Sequence, residues 1–364
     1  MRIAIVRQRY NPYGGAERFA ARALATLSQG GIGAAVVTRE WAGAEQSGGY
    51  EVIRVAPFHV GRLWRDWGFA RAACARLAQE RFDLVQSHER LACCDLYRAG
   101  DGVHRVWLDH RGRDGGALVR VAQALSPYHR YVLGAERRMY ASPRLRAVIC
   151  NSRMVAGEIA AHFGVGADRL HVIYNGVDLE RFHPRVREAH RARMRAELAL
   201  PADAFVYLHV GSGFARKGVA RTLRALAELD QPAARLVVVG RDHEQRRMQA
   251  LAARLGLAER VHFAGAQDDV GPWYAMADAF VLATLYDPLP NAALEALACG
   301  LPAVVTEQCG AAELVQSGAS GEVCDAFSPS TIVRALRAVS AGERAQRRAS
   351  ARASVAHLSL DAMG

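Results

Sequence analysis

No apolar segment of this sequence is long enough to cross a membrane, although hydrophobic residues make up 51% of its 364 positions. A spanning helix needs about 20 consecutive, mostly apolar residues. The first residues, Arg2–Val6, already have the pattern of a buried strand, with no apolar leader ahead of them. We therefore expect a cytoplasmic location.

Cysteine is also sparse, and its spacing carries no metal or redox signature. Seven cysteines are scattered along the chain, and the adjacent pair Cys93-Cys94 lacks the two-residue gap of a zinc knuckle or a thioredoxin-like motif. We expect all seven to be buried, reduced thiols, and we predict no metal site.

Acidic side chains are outnumbered, with 36 Asp and Glu against 47 Lys and Arg, and the net charge is +11. Nearly all of the positive charge is Arg, which favours partners that carry phosphate. Nucleic acid, anionic lipid headgroups, and a nucleotide-sugar with a phosphorylated glycan all meet that description. The length is typical of two domains, each with its own core.

The apolar run Ala279–Ala283 and the segment 286–300 that follows it predict a strand, a loop and a helix that together form an anion site. Pro288 and Pro290 keep the loop extended, and Asn291 is suited to cap a helix over Ala292–Ala298. Unpaired N–H groups at such a helix start bind phosphate, and Glu295, one turn inside, can accept hydrogen bonds from a neighbouring sugar. The alternative is a surface loop followed by a capped amphipathic helix.

The N-terminal segment has the order strand, Gly-rich turn, helix and strand, which is the opening of a Rossmann-like unit. The turn contains Gly14-Gly15, between the strand Arg2–Val6 and the strand Ala34–Thr38. Paired glycines allow backbone amides to approach a phosphate closely. The alternative is an ordinary tight turn, which also needs glycine.

Polar residues follow the next strands at the end where parallel sheets bind ligands. His88 and Glu89 come after the apolar strand near Leu84–Val85, and Asp101 and His104 follow a little later. The alternative for each is a solvated loop residue. Asp101 is the strongest candidate, since a glycine on either side permits unusual backbone geometry and an exposed carboxylate.

A second predicted phosphate cradle opens the C-terminal half of the chain. A strand over 205–211 leads into Gly211-Ser212-Gly213, and Arg216-Lys217 follow at a predicted helix start. Two cations there can neutralise a diphosphate. The alternative, a merely basic helix start, is disfavoured because the helix dipole repels cations at that end.

The region between residues 105 and 140 is rich in arginine among apolar side chains, which predicts a basic amphipathic helix. Such a helix is typical of enzymes that lie on an anionic membrane surface, and the alternative is a solvated helix packed on its domain. The basic residues are Arg105, Arg111, Arg113, Arg120, Arg130, Arg137 and Arg138.

One motif resembles the acidic-pair signature of retaining glycosyltransferases of family 4. It comprises Asp287, Pro290-Asn291 and Glu295, followed by Ala298-Cys299-Gly300. Asp287 stands where that family usually has Glu. The run from Gly211 to Gly218 and the segment around Asp101 are similar to the lipopolysaccharide-core glucosyltransferase branch.

The resemblance implies the fold class α/β, with two Rossmann-like domains facing across a cleft in the GT-B arrangement. We predict an acceptor domain over residues 1–178 and a donor domain over 179–364. Family members usually finish with a helix that crosses back to the first domain. Here that helix is expected to be short or missing, with the chain truncated.

The resemblance also implies the role of each candidate residue, in which the acids contact sugars and the cations contact the leaving diphosphate. Asp101 faces the reacting sugar, Asp287 contacts the transferred sugar, and Glu295 binds the nucleotide ribose. The remaining donor contacts are the Gly14-Gly15 loop, the cradle Gly211, Ser212, Gly213, Arg216 and Lys217, the nucleobase loop at Ala266, and the helix start Pro290, Asn291 and Ala292.

The function that follows is transfer of a sugar from a UDP-sugar, such as UDP-glucose, to a lipopolysaccharide core or related glycan, with retained configuration and without a metal or cofactor. The expected partners are a glycolipid or glycan acceptor and the anionic inner face of the inner membrane, and no nucleic acid. The rival is a basic nucleic-acid or glycan-binding protein without catalysis. It lacks any recognisable nucleic-acid-binding motif.

Overall fold

The computed structural model describes residues 1–10, 32–41 and 50–360. The predicted Gly14-Gly15 turn lies outside the described residues. The chain divides into two compact units, the first spanning Met1–Tyr174 and the second beginning at Asn175.

The first unit is built on a seven-stranded sheet in the order β5-β3-β1-β6-β7-β8-β9, and all its strand pairs are parallel. Its strands are β1 (Arg2–Val6), β3 (Gly33–Thr38), β5 (Glu51–Arg54), β6 (Leu84–Ser87), β7 (Leu96–Arg98), β8 (Ala147–Cys150) and β9 (Leu170–Val172). A separate parallel pair comprises β2 (Arg9–Tyr10) and β4 (Glu40–Trp41). The helices are α1 (Gly61–Gln79), α2 (His104–Leu125), α3 (Pro127–Tyr140) and α4 (Arg153–Phe163), with a 3₁₀ turn at Ala167–Arg169.

The second unit is built on a six-stranded parallel sheet in the order β12-β11-β10-β13-β14-β15. Its strands are β10 (Val206–Val210), β11 (Arg235–Val239), β12 (Val261–Gly265), β13 (Ala279–Leu282), β14 (Ala303–Thr306) and β15 (Gly321–Cys324). The helices are α5 (Arg185–Glu197), α6 (Phe214–Lys217), α7 (Val219–Glu228), α8 (Gln245–Arg254), α9 (Gly271–Met276), α10 (Asn291–Ala298), α11 (Pro329–Ser340) and α12 (Arg344–Ser354), with a 3₁₀ turn at Gly310–Leu314.

The central strands of each sheet are buried on both faces, so they are continuous apolar runs instead of alternating ones. Strand β13 is buried at all four positions, and β1 at four of five. Helix α4 begins with a capping residue, since the Ser152 hydroxyl accepts from the amide of Val155. The Arg-rich region forms two helices, α2 and α3, instead of one, because α2 ends at Leu125 ahead of Pro127. Helix α2 is itself kinked at Gly116, whose backbone is not helical.

The strand order reverses once in each sheet, and the reversal determines where a ligand can bind. From β1 the chain continues to β3 and β5 on one side and then returns to β6 on the other. In the second sheet the same reversal falls between β10 and β13. The loops that leave two such strands diverge to opposite faces of the sheet, so a crevice opens at their carboxyl ends.

Helix α5 is held to the second unit by arginines at helical spacing. Arg187, Arg191 and Arg195 lie 3.5, 2.8 and 3.3 Å from the carboxylate of Asp278, whose side chain is only 2% exposed. Burial and the neighbouring Arg348 and Arg191 lower the pKa of Arg187 to about 9. A substantial part of the chain's positive charge is therefore structural.

The cysteines depart from the expectation of seven reduced thiols. Cys74 on α1 and Cys93 in the loop after β6 form a disulfide, and their Cα atoms are 5.9 Å apart. The five other cysteines are buried and free, and burial raises the pKa of Cys94 to about 12. The pairing could not be read from the sequence because 19 residues separate the partners, and only the packing of α1 beside that loop brings them together.

Across the described ranges, every helix is too short or too polar to cross a membrane.

Gly218, between α6 and α7, has a φ of +79°, and a Cβ there would lie 1.7 Å from the backbone oxygen of Ala283. We expect Gly218→Ala to destabilise the fold by roughly 3 kcal/mol or more, because backbone strain and a backbone clash add. Gly256→Ala is the matched control, since its φ is +71° and nothing lies within 4 Å of the added Cβ. That change should cost only about 1–2 kcal/mol. Equal urea midpoints for the two variants would contradict the prediction.

Candidate active site

Two cations and one carboxylate meet at the strand reversal of the second sheet. Arg216 Nη1 lies 3.0 Å and Lys217 Nζ 3.7 Å from Oδ2 of Asp287. Arg216 also donates to the backbone oxygen of Tyr286, at 2.9 Å. The side chain of Asp287 is 10% exposed, whereas that of Arg216 is 36% exposed. The cluster therefore has a buried acid and a guanidinium that solvent, or a bound anion, can reach.

The local sequence explains why these cations point to Asp287. Helix α6 is a single turn between Gly213 and Gly218, both at a φ of +79°. Arg216 and Lys217 therefore end a separate turn ahead of α7, instead of starting the longer helix as predicted. The backbone oxygen of Arg216 accepts from the amide of Leu285 at 2.8 Å, which ties this turn to the loop after β13.

Lys217 is the only lysine in the sequence. Its Nζ would lie 2.7 Å from a Cβ at Gly211, so the missing side chain of that glycine leaves room for the ammonium group. His209 on β10 is fully buried, and burial together with the charge of Lys217 lowers the pKa of this imidazole to about 3. The histidine is therefore neutral at pH 7 and adds no charge to the cluster.

The predicted Gly211-Ser212-Gly213 cradle follows β10, but two of its amides have protein partners. The amide of Gly211 donates to the backbone oxygen of Val239 at 2.8 Å. Asp242, after β11, accepts from the amides of Gly213 at 2.7 Å and Phe214 at 3.3 Å. Burial raises the pKa of Asp242, but hydrogen bonds from the amides of Glu244, Gly213 and Phe214 lower it. The lowering is the larger effect, so the net shift of this pKa is downward. The Asp242 carboxylate thus occupies the amide of Gly213, which was expected to face a phosphate.

The loop after β13 leads into α10, and here one prediction was wrong. Asn291 does not cap the helix: the capping position is Pro290, with no side-chain cap, and Asn291 is the first helical residue. The Oδ1 atom of Asn291 instead accepts from Asn175 Nδ2, at 2.8 Å. The backbone oxygen of Ala292 lies 3.2 Å from the hydroxyl oxygen of Tyr274.

Glu295 lies one turn inside α10, as predicted, and is 8% exposed. The hydroxyl of Tyr274 on α9 donates to Oε2 of Glu295, at 2.9 Å. This hydrogen bond fixes the orientation of the carboxylate. Ala266 is exposed directly after β12, at the same carboxyl edge of the sheet.

The first unit has its own polar cluster at its strand reversal. The carboxylate of Glu89, after β6, accepts from the amide of Gln8 at 3.0 Å and lies 3.6 Å from Arg7. Burial raises the pKa of Glu89, and the charge of Asp101 adds to that shift. His88 is buried, and burial with Arg98 and Arg7 lowers its pKa well below the usual value.

Asp101 is exposed in the turn between β7 and α2. The neighbouring His104 is partly buried, and its Nε2 is 3.0 Å from Nδ1 of His129. Burial, Arg90 and His129 lower the pKa of His104 to about 3, so it is neutral at pH 7. The structure therefore brings Asp101, Glu89 and His104 to one end of the first sheet, in agreement with their predicted positions after its strands.

Sequence reasoning missed two residues that organise the second-unit site. Asp242 comes three residues after the end of β11, and a polar residue soon after an apolar strand is a signal of the same kind that identified Asp101. Tyr274 lies in a short apolar helix, and nothing in its sequence context indicates a partner. Its role follows only from the packing of α9 beside α10.

Two family profiles match almost the whole chain between them. The profile described as Glycosyltransferase Family 4 matches residues 13–181, and that described as Glycosyl transferases group 1 matches residues 190–355.

Similar proteins include enzymes of lipopolysaccharide synthesis. The lipopolysaccharide glucosyltransferase WaaG of Escherichia coli (strain K12) is 26% identical over 341 residues, covering 93% of this chain and 89% of that protein. The lipopolysaccharide core biosynthesis glycosyltransferase LpsE of Rhizobium meliloti (strain 1021) is 36% identical over 145 residues. That aligned segment covers 40% of this chain and 42% of LpsE.

Solved structures with the same fold include a WaaG crystal structure, with a TM-score of 0.81 and 24% identity over 98% of this chain and 95% of that one. The structure of HepE of Anabaena, in complex with UDP and glucose, has a TM-score of 0.74 and 20% identity over 100% and 97% of the two chains.

These matches and the two parallel α/β units define a glycosyltransferase with the GT-B fold, as predicted. The chain belongs to glycosyltransferase family 4, and within that family it resembles the lipopolysaccharide-core branch.

Proposed function

We propose that the protein transfers a hexose from a UDP-sugar to a lipopolysaccharide core or a related glycan, with retention of configuration and without a metal ion. The observation that carries the proposal is the placement of Arg216 and Lys217 beside Asp287 at the strand reversal of the second unit, with Glu295 on the helix that follows.

In this proposal Arg216 and Lys217 bind the donor diphosphate. The partly exposed guanidinium of Arg216 can reach a phosphate while its Nη1 keeps the contact with Asp287. Charge-assisted hydrogen bonds to phosphate are stronger than hydrogen bonds between neutral groups. They strengthen further as negative charge grows on the leaving diphosphate. The carboxylate of Glu295, oriented by Tyr274, accepts hydrogen bonds from the ribose hydroxyls. HepE was solved with UDP and glucose, which supports a UDP-hexose.

The transfer step needs no enzyme nucleophile. The bond from the anomeric carbon to the phosphate oxygen breaks, the acceptor oxygen forms its bond on the same face, and the acceptor proton passes to the departing phosphate oxygen. Arg216 and Lys217 stabilise the charge on the diphosphate, and Asp287 holds both cations in position. Asp101 stabilises positive charge on the sugar ring or orients the acceptor hydroxyl.

A glycolipid acceptor would place the enzyme at the inner face of the inner membrane. Helix α2 carries exposed Leu118, Val121 and Leu125, which are 86%, 57% and 69% exposed, at the spacing of one helix face. Arg120 is exposed on the same segment of α2, and Arg111 is exposed before the kink that α2 has at Gly116. Apolar side chains at the headgroup boundary, with basic residues toward anionic lipid, are typical of peripheral binding.

Donor binding can be followed at the single lysine. Reductive ¹³C-methylation keeps the charge of Lys217, and UDP should shift its methyl NMR signal; Lys217→Arg identifies the signal by removing it. We expect Arg216→Ala to weaken UDP binding by at least about tenfold, because a charge-assisted contact is lost. Arg224→Ala, an exposed site on α7, is the matched control. A parental UDP affinity in Arg216→Ala would argue against the proposed diphosphate site.

We expect Asp101→Ala to lower turnover by about 10²-fold. UDP affinity should be unchanged, because the donor residues belong to the second unit. Asp109→Ala, also an exposed acid of the first unit, should keep full activity. If Asp101→Ala folds normally and turns over at the parental rate, Asp101 is only a loop residue, and His88 or His104 becomes the next candidate.

Membrane binding is tested by sedimentation with vesicles. Each basic residue near an anionic surface contributes about 1 kcal/mol, so binding should grow with phosphatidylglycerol content and fall with salt. Replacing Leu118, Val121 and Leu125 by serine should weaken it further. Binding that is indifferent to lipid charge and to ionic strength would remove the membrane part of the proposal.

A further inference from the structure

A cavity of about 500 Å³ lies between α1 and α3 in the first unit, outside the cluster of Asp101, Glu89 and His104. Trp67 and Arg71 of α1 line one wall, four residues apart and so on one face of their helix. Tyr131 and Arg138 of α3, seven residues apart, line the other. We call this space the α1–α3 cavity. Its volume is within the range of about 300–1,000 Å³ that small-molecule sites occupy.

The cavity carries more positive charge than its carboxylates balance. Arg90, at its floor, is paired with the buried Glu136, at 2.9 Å. For Arg71 and Arg138, by contrast, no carboxylate of the described residues lies within ion-pair distance. The guanidinium of Arg71 lies over the ring of Trp67, 5.8 Å from its centroid. Two exposed guanidinium groups that face one space are suited to an anion, and their planar forks match phosphate oxygens.

The apolar part of the lining indicates what carries that anion. Trp67 and Tyr131 come from opposite walls, and each has an apolar ring beside a polar tip. Tyr131 is partly buried, and burial raises the pKa of its hydroxyl to about 12, so it stays a neutral hydrogen-bond donor. Aromatic surface with a few polar groups is what packs on the C–H face of a sugar ring. A bare inorganic anion would leave that surface unused.

The cavity also adjoins the polar end of the first sheet. Arg90 lines it and also a smaller space of about 50 Å³ that reaches Gln8 and Glu89 at the strand reversal. Asp101 is near enough to act electrostatically on Arg90. The floor loop is tied to α1, since Cys74 lines the cavity and is bonded to Cys93. The walls and the floor are thus held together before any ligand binds.

We propose that the α1–α3 cavity binds a phosphate-bearing sugar unit of the glycan acceptor, with Arg71 and Arg138 on the phosphate and Trp67 against the sugar ring. This inference rests on the proposed glycosyltransferase function. The inference gives Arg138 a role in acceptor selection. This role differs from the membrane binding that was predicted for the basic region between residues 105 and 140.

Calorimetric titration of the full chain with glucose 6-phosphate, glucose and inorganic phosphate tests the site. We expect glucose 6-phosphate to bind at least about tenfold more tightly than either other probe, since it alone uses both the cations and the aromatic wall. The double variant Arg71→Ala/Arg138→Ala should lose at least about tenfold in that affinity, and Trp67→Ala should weaken glucose 6-phosphate more than phosphate. Arg137→Ala, an exposed arginine outside the cavity on the same helix, should change nothing.

Three results would overturn the inference. Equal affinity for phosphate and glucose 6-phosphate would mean an anion site only. Unchanged glucose 6-phosphate binding in the folded double variant would place the ligand elsewhere. Binding to phosphatidylglycerol vesicles that depends on Arg71 and Arg138, without binding of glucose 6-phosphate, would identify a lipid headgroup. The Lys217 methyl signal reports UDP binding separately. If UDP does not shift that signal, the glycosyltransferase proposal is contradicted. If UDP shifts it but glucose 6-phosphate does not bind, only this inference is contradicted.

Discussion

The second unit depends on the contact of Asp287 with two cations from a neighbouring loop. Arg216 and Lys217 follow β10, whereas Asp287 follows β13, and these strands flank the strand reversal. Removing the acid would leave two positive charges side by side, and Lys217, whose side chain is only 14% exposed, would lose its carboxylate partner, which costs more than an exposed ion pair contributes. The same contact fixes the direction in which the cations can meet a diphosphate. Structure and proposed chemistry therefore share one set of side chains.

The high arginine content has a different meaning once the contacts are known. Three arginines of α5 converge on Asp278, and Arg352 donates to the backbone oxygens of Phe182, Ala298 and Leu179. Arginine serves here as a long, multiply donating side chain that satisfies buried acceptors. Net charge alone therefore overstated how much basic surface is available to a partner. In the first unit, Arg71 and Arg138 are among those left without a carboxylate among the described residues.

Residues that lie close in the chain could be predicted well, and residues that meet only by packing could not. The strand Arg2–Val6 was predicted with its observed bounds, and the strand predicted over 205–211 is found at Val206–Val210, because apolar runs between turn residues are a local signal. The cap at Asn291 was wrong because Asn175, 116 residues away, competes for its side chain. The reduced state of Cys74 and Cys93 was wrong for the same kind of reason.

The sequence by itself determined the α/β class, the approximate position of the glycine-rich turn at Gly211-Ser212-Gly213, and the candidates Asp101, Arg216, Lys217, Asp287 and Glu295. It did so because strand periodicity and motif spacing are properties of neighbouring residues. Only the tertiary structure decided that Asp287 pairs with both cations, that Asp242 occupies the amides of Gly213 and Phe214, and that Tyr274 orients Glu295. Each of these contacts joins segments from different strands of the sheet, and their meeting depends on strand order, which no local pattern encodes.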